Sequence, residues 1–210
     1  MACGLIQEQI GSVLRCKGRC NVMLTGGRSA ERLYGAWSEL PEFQLLKGVS
    51  FYFCDERCVP EGSSESNYGM AMRGLFRRGV PGGCEVFPMD GAQSDRESAA
   101  RRYEYLLPKV IDVMLLGVGE DGHVASLFPK TTALNEQKRL VIPITGPKSP
   151  CDRLTITPPV IKSARSVFVL ASGFAKALVL RSALNMPEDY FCLPARLALN
   201  ATWLLDEKLP

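Results

Sequence analysis

The sequence predicts an α/β protein with a doubly wound, mostly parallel sheet and helices on both of its faces, as in a Rossmann-like fold. Short apolar runs alternate with segments of helical periodicity along the whole chain. The apolar runs are continuous rather than alternating, which is typical of strands covered on both faces. Polar segments follow several of these runs, at the strand ends where an open parallel sheet binds its ligands.

Six strands are predicted from short runs rich in aliphatic and aromatic residues, over 21–25, 49–54, 111–116, 140–144, 166–171 and 201–205. Helical spacing of apolar residues predicts helices over 4–16, 29–40, 67–76, 94–107 and 174–184. Pro41 is expected to close the second helix, and Ser94 with Glu97 to form a capping box on the fourth. Residues 55–66 and 147–157 are predicted to be loops.

Length and composition indicate one globular domain spanning residues 1–210. A chain of this length buries about 70% of its unfolded surface, so its core needs neither disulfides nor a metal. Hydrophobic residues make up 46% and charged residues 22% of the chain, which excludes a disordered or fibrous protein. The formal net charge of +3 is too small to argue for nucleic acid or an anionic membrane as a partner.

The expected location is the cytoplasm. The first residues lack a basic segment followed by an apolar one, so no secretory signal is expected. No apolar run approaches the roughly 18 residues of a membrane span. Eight cysteines occur without the C-x2-C spacing that is usual for zinc and redox sites. We therefore expect reduced thiols that pack as small hydrophobic side chains.

A glycine turn connects the first strand to the second helix. Gly26 and Gly27 let the backbone approach an anion, and the following helix offers free N–H groups. Neither the P-loop nor the dinucleotide-binding spacing is present, so a tight turn without a ligand is an equal alternative. Lys148 and Arg153, in a later loop, are either cationic contacts to a phosphate or solvated surface charges.

The triplet Asp55-Glu56-Arg57 follows the second strand. Taken alone, a carboxylate beside an arginine is most often a structural ion pair. In a functional site, Arg57 would contribute charge to an anion site. Asp55 would orient a substrate group or another side chain.

His123 is the only histidine in the chain and follows GVGEDG at the end of an apolar strand. A lone histidine is often a structural residue, but imidazole is the side chain best suited to general-base catalysis near neutral pH. One histidine argues against a multi-histidine metal site, and Glu120 and Asp121 have no companion cluster, so no metal is expected. Asp55, Glu120 and Asp121 are the candidates to orient His123.

With these segments in place, the chain resembles the 6-phosphogluconolactonase family, whose superfamily also contains glucosamine-6-phosphate deaminase. The resemblance covers nearly the whole chain and rests on MLTGGRSA (23–30), FYFCDERCVPEGSSESNYGM (51–70), DVMLLGVGEDGHVASLFP (112–129), PKSPCDRLTIT (147–157) and SVFVLASGFAKA (166–177). The segment GEDGHVASLFP is highly specific. Arg57 and residues 125–129 favour the lactonase branch, because the deaminase branch carries a DEY-like triplet and a different tail after DGH.

The resemblance implies hydrolysis of 6-phosphoglucono-δ-lactone to 6-phosphogluconate, the second step of the oxidative pentose phosphate pathway. It implies that no metal or organic cofactor is needed. The expected partner is the small sugar-phosphate lactone, with neither nucleic acid nor membrane, and the chain is expected to be a monomer.

The predicted site has two parts. The resemblance assigns the base to His123 and the phosphate contacts to Arg57, Lys148 and the loop of Gly26 and Gly27. Together with the candidates from the residues themselves, the catalytic group is His123, Asp55 and Asp121. The phosphate-binding group is Gly26, Gly27, Arg57, Lys148 and Arg153.

Arg28 departs from the family pattern, in which many relatives carry a small polar residue after the two glycines. It either adds charge to the phosphate site or points into solvent.

Two other functions stay open. A deaminase or isomerase of an amino-sugar phosphate would use Asp55 to move a proton at carbon 2 and His123 to assist ring opening. A non-catalytic sugar-phosphate sensor has no need of a base, so the presence of His123 argues against it.

Overall fold

Six parallel strands form the central sheet of the computed structural model, which describes residues 1–185 and 189–206. In chain order they are β1 (Cys20–Leu24), β2 (Val49–Phe53), β4 (Glu85–Val86), β5 (Val113–Gly117), β8 (Ser166–Ala171) and β9 (Thr202–Leu205). Their order across the sheet is β4-β2-β1-β5-β8-β9, and every neighbouring pair is parallel. The predicted doubly wound α/β fold is therefore confirmed.

The direction of winding reverses between β1 and β5. From β1 the chain builds outward through β2 to β4, and it then returns to place β5 on the other side of β1. In open parallel sheets such a reversal leaves a crevice at the carboxyl ends of the two strands, and ligands bind there. The segments that leave β1 and β5 are the glycine turn and the loop that carries His123.

Seven α-helices lie in the described parts of the chain. They are α1 (Ala2–Lys17), α2 (Arg28–Trp37), α3 (Pro41–Gln44), α4 (Asn67–Gly74), α5 (Arg96–Leu106), α6 (Pro158–Ser163) and α7 (Phe174–Asn185). Five of them correspond to the predicted helices, while α3 and α6 were not predicted. Both are short and begin with a proline at the first helical position, where a missing N–H costs nothing.

A second sheet of three antiparallel strands was not predicted. It contains β3 (Asp55–Arg57), β7 (Asp152–Ile156) and β6 (Val141–Thr145) in the order β3-β7-β6. The predictions of loops over residues 55–66 and 147–157 were wrong where β3 and β7 form. These strands exist because Asp55 pairs with Thr155 and Arg57 with Arg153, about a hundred residues apart. Local sequence patterns do not show which distant residues pair.

Two predicted helix signals were also wrong. α5 is capped by Asp95 rather than Ser94, because the Asp95 carboxylate accepts the backbone N–H of Ser98 at 3.0 Å. Glu97 forms no capping box and instead pairs with Arg101 at 2.9 Å. α2 ends at Trp37, so Pro41 does not close it and begins α3 instead.

The core lies on both faces of the central sheet. The strand residues of β1 and β5 are almost all buried, which explains why their sequences are continuously apolar. An aromatic cluster of Trp37, Phe43, Phe51 and Phe76 packs where the first helices meet β2, with neighbouring ring centroids 5.1–6.4 Å apart.

All eight cysteines lie within the described ranges and are free thiols. Among the residues that the structure describes, no helix has the length and apolar character needed to cross a membrane. That residues 1–210 form one domain stays a prediction.

Tyr34 ties α2 to the end of β1, directly before the glycine turn. Its buried hydroxyl donates to the carbonyl oxygen of Thr25 at 2.7 Å and accepts the backbone N–H of Thr25 at 3.0 Å. Burial raises the pKa of the phenol far above its ordinary value, so the hydroxyl stays neutral. One side chain therefore satisfies both backbone groups of a buried residue.

We expect Tyr34→Phe to lower the free energy of unfolding by about 1–3 kcal/mol, because the buried N–H of Thr25 loses its acceptor. Urea denaturation measures the change. Tyr105→Phe is the matched control, since that side chain is 91% exposed, and its effect should stay within about 0.5 kcal/mol. Equal stability of the two variants would contradict this role of Tyr34.

Candidate active site

A cleft of 420 Å3 opens at the carboxyl ends of β1 and β5, at the winding reversal. Seven of the eight predicted site residues line it: Gly26, Gly27, Asp55, Arg57, His123, Lys148 and Arg153. The eighth, Asp121, contacts the His123 imidazole. Five cationic side chains line the cleft (Arg28, Arg57, Lys148, Arg153 and Lys176), against the carboxylates of Asp55 and Glu120. Its field therefore favours an anionic ligand.

The glycine turn shapes one wall of the cleft. A Cβ at Gly26 would overlap the amide of Asn67, and Gly27 has a φ of 89° that disfavours other residues. Gly27 is also the N-cap of α2, and no side chain accepts the first N–H groups of that helix. The N-terminus of α2 therefore presents unpaired donors and its positive dipole end beside the cleft.

His123 and Asp121 form a close pair in the loop after β5. The imidazole Nδ1 lies 2.5 Å from Asp121 Oδ1, and Lys148 Nζ lies 3.1 Å from Asp121 Oδ2. Partial burial alone would raise the pKa of Asp121. The hydrogen bond and charge of His123, together with the Lys148 ammonium, outweigh burial and hold that pKa well below its ordinary value of 3.8.

An ionised Asp121 accepts a hydrogen bond from Nδ1–H of a neutral imidazole, which leaves the lone pair on Nε2. Within the described residues, Nε2 of His123 has no hydrogen-bond partner. The structure thus selects Asp121, among the three candidate carboxylates, as the group that orients His123.

The loop around His123 leaves the ring little freedom. A Cβ at Gly119 would overlap the imidazole, and the Gly119 backbone N–H donates to the His123 carbonyl oxygen at 2.9 Å. The Phe128 ring lies against the imidazole, with centroids 4.6 Å apart. Gly119 of GVGEDGH therefore makes room for the imidazole.

Asp55 is 5% exposed, and both of its carboxylate oxygens accept hydrogen bonds. Oδ2 accepts from the Ser126 hydroxyl at 2.6 Å, and Oδ1 accepts from the Asn67 side-chain amide at 3.1 Å. Asp55 therefore joins β3, α4 and the segment after His123 into one rigid wall. In the described chain, neither a hydrogen bond nor an ion pair joins Asp55 to His123.

Alternation along β3 separates the three residues of the DER triplet. Asp55 and Arg57 line the cleft, while Glu56 points away from it. The Arg57 guanidinium donates to the Glu65 carbonyl oxygen at 2.7 Å and to its carboxylate at 3.3 Å. Its Nε is buried and has no hydrogen-bond acceptor in the described chain.

Glu56 is a structural residue. Its buried carboxylate accepts the backbone N–H groups of Arg57, Asn67 and Tyr68 and the hydroxyl of Ser66, at 2.7–3.0 Å. Glu56 therefore accepts hydrogen bonds from the backbone N–H groups at the start of α4, which have no acceptor within the helix. Burial raises the pKa of Glu56, and the four hydrogen bonds oppose that rise.

Lys148 and Arg153 line the cleft but are occupied by protein groups. Arg153 is buried and donates to the carbonyl oxygens of Pro150 and Lys148 at 2.8 and 3.1 Å, and it lies over the Phe128 ring. Arg153 therefore fixes the loop that carries Lys148, and Lys148 holds Asp121.

Three residues of this site were missed by sequence reasoning. Asn67, Ser126 and Lys176 all lie in the segments quoted above, but none of them had an assigned role. Lys176 Nζ donates to the Ser29 hydroxyl at 3.0 Å, which places a cation beside the N-terminus of α2. Only the packing of α7 near α2 brings this lysine to the cleft.

A larger groove of 940 Å3 lies at the opposite, amino edge of the sheet. Its buried carboxylate, Asp112, pairs with Lys17 and with Arg165 at 3.8 Å. The groove holds neither the histidine nor the glycine turn. Across residues 1–185 and 189–206, no group of three or more His, Cys, Asp or Glu side chains is arranged to hold a metal ion.

The fold and the site define an α/β protein with a histidine–carboxylate pair beside a cationic cleft at the winding reversal of its sheet. Residues 1–205 match the model of the glucosamine-6-phosphate isomerases/6-phosphogluconolactonase family, and the chain belongs to that family.

Individual relatives agree with this assignment. The chain is 39% identical to 6-phosphogluconolactonase of Rattus norvegicus, over 97% of this chain and 84% of the relative. It is 34% identical to 6-phosphogluconolactonase 3 of Saccharomyces cerevisiae, over 97% and 88%. The structure of 6-phosphogluconolactonase from Trypanosoma cruzi superimposes with a TM-score of 0.82 at 32% identity, covering 97% of this chain and 88% of the other.

We expect Glu56→Ala to lower the free energy of unfolding by about 2–4 kcal/mol, because buried N–H groups at the start of α4 lose their acceptor. Urea denaturation measures this change. Glu8→Ala removes an exposed carboxylate for comparison and should change stability by less than about 0.5 kcal/mol. A loss no larger than that of the Glu8 variant would show that α4 does not depend on Glu56.

Proposed function

We propose that this protein hydrolyses 6-phosphoglucono-δ-lactone to 6-phosphogluconate, as its named relatives indicate, in the pentose phosphate pathway. The observation that carries the proposal is the pair of His123 Nδ1 and Asp121 Oδ1, 2.5 Å apart. It leaves Nε2 available as a general base in a cleft whose charge suits a sugar phosphate.

In the proposed reaction, Nε2 of His123 takes a proton from water as the water oxygen attacks the lactone carbonyl carbon. Ionised Asp121 stabilises the imidazolium that forms. The negative charge on the carbonyl oxygen develops among the cationic side chains of the cleft, which lowers its energy. The tetrahedral intermediate then collapses, the bond to the ring oxygen breaks, and the imidazolium returns the proton to that oxygen.

The proposed phosphate contacts lie away from the reacting bond. The turn of Gly26 and Gly27 offers the uncapped N-terminus of α2, and Lys176 adds a cation next to it. Arg57 faces the same cleft with an unsatisfied Nε. These groups are suited to orienting the lactone relative to His123.

Lys148 and Arg153 add to the positive field of the cleft, and their protein contacts suit them to holding the catalytic pair. Asp55 contributes by fixing the wall through Ser126 and Asn67. A deaminase would need Asp55 to exchange a proton with carbon 2 of its substrate. The engagement of both Asp55 oxygens favours the lactonase instead.

We also propose a cytoplasmic location and a monomeric state. Eight free thiols support the location, because thiols stay reduced in the cytosol. The proposed location and the proposed monomeric state do not depend on the proposed reaction.

The direct test generates the lactone in situ from glucose 6-phosphate and its dehydrogenase and follows lactone disappearance with and without the protein. The lactone also hydrolyses unaided, so the control without protein sets the baseline. We expect a rate well above that baseline and no ammonia from glucosamine 6-phosphate. A lactone rate equal to the baseline would overturn the proposal, and ammonia release would replace it with a deaminase.

We expect His123→Asn to lower kcat by about 10²–10⁴-fold, since the variant has no base at this position. Its urea denaturation midpoint should stay close to that of the wild type, because the ring is part-exposed. Near-normal turnover by the folded variant would remove His123 from the mechanism.

Asp121→Asn should lower kcat by about 10²–10⁴-fold, because the amide no longer selects the imidazole with its proton on Nδ1. A kcat within about twofold of wild type in the folded variant would remove Asp121 from the mechanism.

The same variant tests the depressed pKa of Asp121. A carboxyl group whose pKa is lower in the folded state contributes stability above its ordinary pKa of 3.8 and loses it as the pH falls further. The stability difference between wild type and Asp121→Asn should therefore be present at neutral pH and shrink in acid. A stability difference between the two proteins that does not change with pH would contradict the pairing of ionised Asp121 with Lys148 and His123.

A further inference from the structure

Arg28 occupies an unusual place at the mouth of the cleft. It is the first residue of α2, directly after Gly27, and its side chain is 90% exposed. It lines the active-site cleft and also a side cavity of 350 Å3, which opens beside it. A cation at a helix N-terminus opposes the helix dipole, so Arg28 does not serve the stability of α2.

The described contact of the Arg28 guanidinium is weak. It lies 3.9 Å from the carboxylate of Glu120, which is itself 64% exposed. An exposed ion pair at this distance contributes little, because water and salt screen both charges. Arg28 is therefore held loosely and exchanges partners at small cost.

A second cation shares this helix end. Lys176 Nζ is fixed on the Ser29 hydroxyl, one residue beyond Arg28. Burial lowers the pKa of Lys176, and the positive charge of Arg28 lowers it further. Two like charges beside unpaired helix N–H groups leave a positive site that a dianion would neutralise.

We infer that Arg28 is a specificity residue that leaves Glu120 and pairs with the phosphate of the substrate. This inference rests on the proposed function and adds to it a named contact for the anionic end of the lactone. Glu120 acts as the resting partner of the guanidinium and competes with the phosphate for it. The pair spans the turn after β1 and the loop after β5, so the exchange takes place directly over the cleft.

The test compares Arg28→Ala with Arg32→Ala. Arg32 lies one turn further along α2 and lines the side cavity but not the active-site cleft, so its variant removes the same charge from the same helix. We expect Arg28→Ala to raise KM for the phosphorylated lactone about three- to tenfold, with kcat changed less than about twofold. The inhibition constant of inorganic phosphate should rise with KM. Arg32→Ala should leave both constants within about twofold of wild type.

Equal KM values for Arg28→Ala and wild type would overturn the inference, and so would equal changes in the two arginine variants. Thermal denaturation is measured for both arginine variants. Arg28→Ala should be no less stable than wild type, because it removes a cation from the positive end of the α2 dipole. Wild-type protein without lactonase activity would refute the proposed function instead. The dissociation constant of inorganic phosphate, measured by calorimetry on the wild type and on Arg28→Ala, then reports on Arg28 separately.

A double-mutant cycle separates two roles of Glu120. If Glu120 competes for Arg28, Glu120→Gln lowers KM in the wild-type background and has no effect in the Arg28→Ala background. If Glu120 simply repels the phosphate, the same fall in KM persists without Arg28, and the exchange of partners is refuted.

Discussion

The hydrogen bond between Asp121 and His123 is the contact on which the proposed chemistry of this site depends. It fixes which imidazole nitrogen carries the proton, and Lys148 holds the second oxygen of the same carboxylate. Behind Lys148, Arg153 fixes the backbone of its loop. A chain of charged groups from β7 therefore supports one hydrogen bond in the loop after β5. Removing any member should loosen the orientation of the His123 imidazole.

The two sheets contribute different residues to the cleft. The parallel sheet brings the glycine turn and the histidine loop to one edge, because the winding reverses between β1 and β5. The small antiparallel sheet then supplies Asp55, Arg57 and Arg153 from strands that face the same cleft. Asp55, on the small sheet, connects that sheet to the segment after His123 and to α4. Its carboxylate accepts hydrogen bonds from the Ser126 hydroxyl and from the side-chain amide of Asn67.

Much of this arrangement is predictable from sequence where the signal is local. Continuous apolar runs identified all but one of the six parallel strands, and the glycine turn and the lone histidine marked the cleft. The loop predictions failed because β3 and β7 pair across about a hundred residues. The cap prediction failed locally, because Ser94 and Asp95 are both good N-cap residues and the helix begins one residue later than predicted. The role of Lys176 required the packing of α7 near α2, and the choice of Asp121 over Asp55 and Glu120 required distances.

Because His123 is the only histidine, nitrogen NMR of protein labelled with 15N-histidine reads its tautomer without assignment experiments. We expect that the neutral imidazole carries its proton on Nδ1, bonded to Asp121, with Nε2 unprotonated. In Asp121→Asn this preference should be lost. A neutral ring protonated on Nε2 in the wild type would contradict the proposed role of His123 as the base, since that nitrogen could not then accept a proton from water.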